Sequence, residues 1–318
     1  MSARAWAAFG AVSALWGIPY LFIKVAVDDG VAPAFLAWVR VVLAATVLLA
    51  LAWRAGALGS LRGHWRWLLL FAVAEITLPF PLIAAGEQRV ASSLAAIIIA
   101  TAPLFVAVLA LRFDASERAS GRRLVGLLVG LAGVVALMGI DVAGRTEELV
   151  GAVAILVAAF CYAVGPMVLK RHLAGLDPRA SMGASLALAA LLLTPAVALD
   201  PPGEVPPASA IGALLVLGLL CTAAAFVVYG ILVAEVGAGR ALVVTYINPV
   251  IAVALGVAIL GERPGAGAVA GLLLILAGSW LSTDGRLPPS PTAAVTRLRA
   301  RRRRARAVSA PPVGPVRG

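Results

Sequence analysis

Histidine, cysteine and lysine occur only twice each in 318 residues, and 15 acidic side chains stand against 26 basic ones. These shortages exclude several chemistries. Cys161 and Cys221 are isolated inside apolar runs, which argues against a disulfide framework or a Cys-x-x-Cys metal site and fits two small buried hydrophobes. His64 and His172 lie in basic loops without a carboxylate-rich or Cys-rich neighbourhood, so neither points to a metal. The glycines of "GLLVGLAG" fall within an apolar run and suit close helix packing better than a nucleotide loop. No cofactor is expected.

Apolar residues are what the chain has in excess. They make up 62% of it, with a mean hydropathy of +1.02, against about 45–50% in soluble domains. No single core can hide that surface, so the surplus faces lipid and the chain reads as an all-α polytopic membrane protein. Runs long enough for a core of roughly 30 Å fall near 5–27, 32–52, 67–86, 92–111, 122–141, 149–169, 180–199, 209–233, 240–260 and 265–283. Ten crossings are predicted. The first run is too long for a signal-peptide core and lacks an A-x-A site, so it is expected to be retained.

The basic residues sort by side. With the N-terminus in the cytoplasm, twelve in the loops and nine in the tail fall inside, 21 in all. Arg89, Arg145 and Arg263 fall outside, and Lys24 and Arg40 lie within spans. This asymmetry predicts cytoplasmic termini and a plasma (inner) membrane location. The tail, 286–318, contains "RLRARRRRARA" and no apolar period; it is expected to be a disordered arm on anionic lipid, not a nucleic-acid binder.

The chain also repeats itself. At an offset of 146, slipping to 145, Trp16 falls on Tyr162, Lys24 on Lys170, Pro103 on Pro249, Glu117 on Glu262, Gly126 on Gly271 and Gly133 on Gly278. Each copy holds five runs. An odd number sends the second copy into the membrane from the opposite side, so residues 1–141 and 142–285 are expected to be inverted repeats, an architecture suited to alternating access.

The patterns "ALWGIPYLFIKVA", "ASSLAAIIIATAPLF" and "INPVIAVALGVAILGERPGAGAVAGLLLILAGSWL", with the single Arg40 in the second run, resemble the EamA-type family of the drug/metabolite transporter superfamily. The resemblance covers about residues 5–283, and the tail has no counterpart in it. It implies a ten-helix basket with a central cavity lined by spans 1, 3, 4, 6, 8 and 9. It also implies secondary transport, often efflux, of small metabolites, amino acids or drug-like solutes, with a small-molecule substrate and membrane lipids as partners.

The candidate site residues are Trp16, Tyr20, Arg40, Glu75, Tyr162, Tyr229, Tyr246 and Asn248. Glu75 lies roughly 12 Å into span 3 and Arg40 at a similar depth in span 2, so each needs a partner or a wet cavity. Pro79 and Pro81 lack the N–H groups that would serve the carbonyls of Glu75 and Thr77, which predicts a bend and freed acceptors beside the carboxylate. Two readings stand: a structural Glu75–Arg40 salt bridge, or a role in substrate or proton binding. All four tyrosines fall in spans that the resemblance assigns to the cavity, and with Trp16 they would hold a partly apolar or cationic solute or simply pack the helices. The amide of Asn248 should face another helix or the cavity. Glu117 and Glu262 are expected to tether short loops.

A membrane-embedded enzyme or a lipid-linked substrate flippase is the rival reading. An enzyme would need a metal-binding carboxylate cluster or a catalytic histidine near the interface, and the sequence offers only Asp28–Asp29 and two unaccompanied histidines.

Overall fold

The computed structural model describes residues 2–113, 121–137, 145–236, 241 and 244–282. Glu117, the boundary between the repeats at 141/142 and the tail 286–318 lie outside the described residues. Within those residues the chain is helical and contains no strand. The helices are α1 (Ala3–Asp28), α2 (Pro33–Arg54), α3 (Trp65–Glu87), α4 (Ser92–Val106), α5 (Leu124–Leu137), α6 (Thr146–Leu173), α7 (Pro178–Leu199), α8 (Ala208–Val236), α9 (Val244–Leu260) and α10 (Ala266–Leu281). Six of them, α1–α3 and α6–α8, are long and apolar enough to cross a membrane; the other four are shorter apolar helices. Each falls on an apolar run of the sequence.

Proline and widened turns interrupt these rods. Pro19 cannot continue the hydrogen-bond ladder, so α1 is built from Ala3–Gly17 and a new segment, Pro19–Asp28. π-helical turns occupy Val73–Thr77 in α3, Leu169–Leu173 in α6 and Val216–Ala224 in α8. In α3 the Leu78 N–H reaches back five residues to the Val73 carbonyl at 3.2 Å, and Pro79 then opens the next α segment. The irregularity predicted beside Glu75 is therefore a widened turn, which places an extra residue ahead of the proline.

The packing has a regular pattern. Helix α1 packs on α8 and α9, while α6 packs on α3 and α4, the same relations moved along by five helices; α2 pairs with α7, α4 with α9 and α5 with α10. The α5–α10 pair is the most extensive and is built on glycine. A Cβ on Gly133 would lie 3.0 Å from the Gly271 carbonyl, and one on Gly278 would meet the Gly126 carbonyl at 2.5 Å, so the two backbones approach closely. Interior side chains such as Ile23, Leu36, Ile83 and Leu217 pack where α1, α2, α3 and α8 meet. Val135, Leu191 and Leu273 stand exposed on the outside, an apolar surface of the kind that lipid covers.

Candidate functional site

The π turn of α3 carries Glu75 into the bundle. Its Oε2 is buried and has no hydrogen-bond partner among the described residues. The carboxylate fits because its neighbour on α6 is Gly165: a Cβ there would run into Oε2, and would lie 2.9 Å from Cδ. No ion pair joins Glu75 to Arg40 among the described residues, so the salt-bridge reading fails. Arg40 has other company.

Arg40, only 8% exposed, donates from Nε to Thr222 Oγ1 at 2.8 Å. Thr222 spends its own proton on the Leu217 carbonyl at 2.8 Å, five residues back along the π turn of α8. The hydroxyl is thus fixed with a lone pair toward the guanidinium. The guanidinium carbon sits 4.0 Å above the Phe80 ring, a cation–π contact from α3. No protein acceptor binds its terminal nitrogens among the described residues.

Tyr162 is within electrostatic range of both Glu75 and Arg40, and Tyr20 is in range of Arg40 and Tyr162. Trp16 meets Tyr229 at 4.8 Å and Phe226 edge-on at 5.8 Å, forming an aromatic wall. Tyr229 is in turn within electrostatic range of Glu75. Tyr246 packs in the same apolar cluster as Trp16, and its hydroxyl donates to the Ser279 carbonyl on α10 at 3.1 Å. Asn248 lies where α9 crosses α1, with its carbonyl against Gly17 and its Oδ1 buried without a partner.

The two ends of the bundle differ. At the end carrying the N-terminus, a cleft of about 470 Å³ opens between α1, α2, α7 and α8. Arg4, Asp177, Arg179 and Glu235 line it together with Phe226, which also borders the aromatic wall. Arg179 bonds the Asp177 carboxylate at 2.7 Å and holds it below the usual carboxylate range. The opposite end carries bonds that tie its helices together. Lys24 Nζ donates to the Glu87 carbonyl at 2.9 Å, Arg89 pairs with Glu147 at 3.1 Å, and Glu262 accepts from the backbone N–H groups of Ser92 and Ser93 at 2.7 and 3.0 Å. Burial pushes the Glu262 carboxyl up, but the side-chain and backbone hydrogen bonds of Ser93 and Ser92 outweigh it and hold it below its ordinary value. Glu262 therefore caps α4, the tethering role expected of it.

Sequence reasoning missed Thr222, Phe80 and Gly165, whose roles depend on three-dimensional neighbours. It also missed Glu87, which lies one residue beyond the predicted end of span 3. Among the described residues no cluster of His, Cys, Asp and Glu could hold a metal ion.

The bundle thus combines helices long and apolar enough to cross a membrane with buried charged groups in its interior and a cleft lined by charged side chains at one end. The model of the EamA-like transporter family matches residues 4–139 and again 149–283, and the chain belongs to that family. It is 32% identical over 269 residues to the uncharacterized inner membrane transporter YedA of Escherichia coli strain K12, covering 80% of this chain and 83% of that one. It is 25% identical over 276 residues to an uncharacterized transporter of Archaeoglobus fulgidus, covering 85% and 93%. A solved crystal structure shares the fold with a TM-score of 0.64 at 21% identity, covering 89% of this chain and 98% of that one. The protein is a membrane transporter and not an enzyme.

Proposed function

We propose that the protein is a proton-coupled secondary transporter that exports a small solute by alternating access, and that the structure is its inward-open state. The observation that carries this reading is Glu75, a carboxylate buried halfway along a membrane helix without a donor or a counter-ion among the described residues. Such a group is costly unless it exchanges a proton or a ligand. Arg40, with its terminal nitrogens unbonded, and the Trp16–Tyr229 wall supply the rest of a site for a solute with an apolar body and charged groups, whether metabolite, amino acid or drug-like compound.

All ten helices are taken as crossings, in two inverted repeats of five. The two-fold pattern of helix pairs and the matched α5–α10 glycines support this. The 21 to 3 distribution of basic residues supports cytoplasmic termini in an inner membrane. On that orientation the cleft opens to the cytoplasm and the tied end faces outward. Solute enters from inside, protonation of Glu75 releases it outside, and the proton returns inward.

The test is flux in ATP-free proteoliposomes, using a solute first selected by thermal-shift stabilisation. An imposed pH gradient is expected to drive wild-type flux, while folded Glu75→Gln protein ignores the gradient. Gradient-driven flux through well-folded Glu75→Gln protein would overturn the reading.

A further inference from the structure

Glu87 ends α3 among the ties of the closed end. It is 0% exposed, and neither carboxylate oxygen has a hydrogen-bond donor among the described residues. Lys24 reaches it from α1 but bonds the wrong oxygen for charge pairing: Nζ donates to the Glu87 main-chain carbonyl at 2.9 Å and pairs with Asp28 at 2.9 Å. The other charged or titratable groups facing Glu87 are Tyr20 on α1, Arg40 on α2 and Glu262 in the connection after α9. On α6, Gly151 and Ile155 pack on the adjacent Gly86, and Glu147 of that helix pairs with Arg89.

An ionised carboxylate in this place has given up water and received no donor in exchange, whereas a proton removes the charge altogether. We propose that Glu87 is a second proton-binding site, loaded while this end of the bundle is closed and emptied to water on that side when it opens. The proposal rests on the alternating-access reading but needs nothing from Glu75.

Opening must break the Lys24 bond to the Glu87 carbonyl and the Glu262 cap on α4. Water then reaches Glu87, its O–H bond breaks, the proton passes to water, and the freed Lys24 ammonium can turn from the carbonyl to the new carboxylate. Closing reverses these steps. A high proton concentration outside therefore holds the end shut, and a low one favours opening.

The test needs no substrate. Val90, 5% exposed in the connection that follows Glu87, becomes the reporter as Val90→Cys in a Cys161→Ala, Cys221→Ala chain. It is labelled in proteoliposomes with a membrane-impermeant maleimide, and rates are normalised to an exposed Gly203→Cys control to remove the pH dependence of thiol reactivity.

Normalised labelling is expected to rise several-fold from mildly acidic to mildly alkaline pH. With Glu87→Gln added it should be flat and slow, while Glu75→Gln should leave the rise in place. Lys24→Met serves as a second variant should Glu87→Gln fold poorly. Removing the facing ammonium favours the protonated acid, so the midpoint should move to higher pH.

A flat wild-type profile, a rise that survives in Glu87→Gln, an unmoved midpoint in Lys24→Met, or a change produced by sodium at fixed pH would overturn the proposal. Gradient-driven flux that depends on Glu75 despite any of these results would leave the transport reading standing, whereas its absence from the wild type would count against that reading instead.

Discussion

Thr222 holds Arg40 in a fixed orientation: the hydroxyl gives its proton to the Leu217 carbonyl and accepts from Arg40 Nε at 2.8 Å. The π turn of α8 makes both bonds possible, because it brings the carbonyl five residues back within reach of the hydroxyl. Thr222→Val keeps the shape but strands a buried charged donor. The expected cost is about 1–3 kcal/mol of stability, read as a lower thermal midpoint in detergent, and Thr222→Ser should restore most of it. An unchanged midpoint for Thr222→Val would contradict the assignment.

Gly165 leaves room for the Glu75 carboxylate. Gly165→Ala adds a methyl where Oε2 lies and should push the carboxylate aside, while a Gly-to-Ala change within a helix tends to stabilise it by about 1 kcal/mol. The combination expected is a well-folded protein whose solute affinity falls at least about tenfold, the equivalent of ~1.4 kcal/mol. Wild-type affinity would show that Glu75 does not touch the solute.

The α5–α10 seam is sensitive to single methyl groups. A Cβ on Gly278 would collide with backbone atoms of Gly126 and Gly130, which cannot swing away, whereas one on Gly212 meets nothing within 4 Å. Gly278→Ala is expected to lose most folded protein, and Gly212→Ala to match the wild type in yield and thermal stability. Equal yields would argue against the close crossing.

Glu262 gives a pH dependence of known sign. Burial raises its carboxyl, but the side-chain and backbone hydrogen bonds of Ser93 and Ser92 outweigh it and hold the group below the ordinary value of 4.5. The stabilisation is therefore complete above the unfolded-state value and is lost as pH falls through the lower folded-state value. Glu262→Ala should lower the thermal midpoint at neutral pH, and the gap from the wild type should close on acidification below about 4.5. A gap that stayed constant with pH would mean that the charge plays no part in the cap.

Much of this protein was legible in the chain because lipid enforces a simple rule. Apolar runs must be helices, and each observed helix falls on a predicted run. The family model matches residues 4–139 and 149–283, the two stretches that the sequence aligns with each other, and the recurring glycines Gly126 and Gly133, Gly271 and Gly278 meet across one seam. What stayed hidden depends on details finer than hydropathy. Pro79 signalled an irregular α3, yet nothing in "AFCYAVGP" or "GLLCTAAAF" announced that Gly165 would face Glu75 or that Thr222 would take Arg40. Depth alone put Arg40 beside Glu75, but helix rotation decides which side chains meet, and it turned Arg40 toward α8. Glu87 was lost to a span boundary drawn one residue short.

The central claim is that solute and proton compete at Glu75. Its most direct measurement is proton release on solute binding, read with a pH indicator in weakly buffered detergent solution. Wild-type protein should release protons when a saturating solute is added, and Arg40→Gln should weaken binding without abolishing release from the fraction bound. Folded Glu75→Gln protein should bind and release none. Undiminished release from Glu75→Gln, or binding by the wild type with no release, would contradict the account.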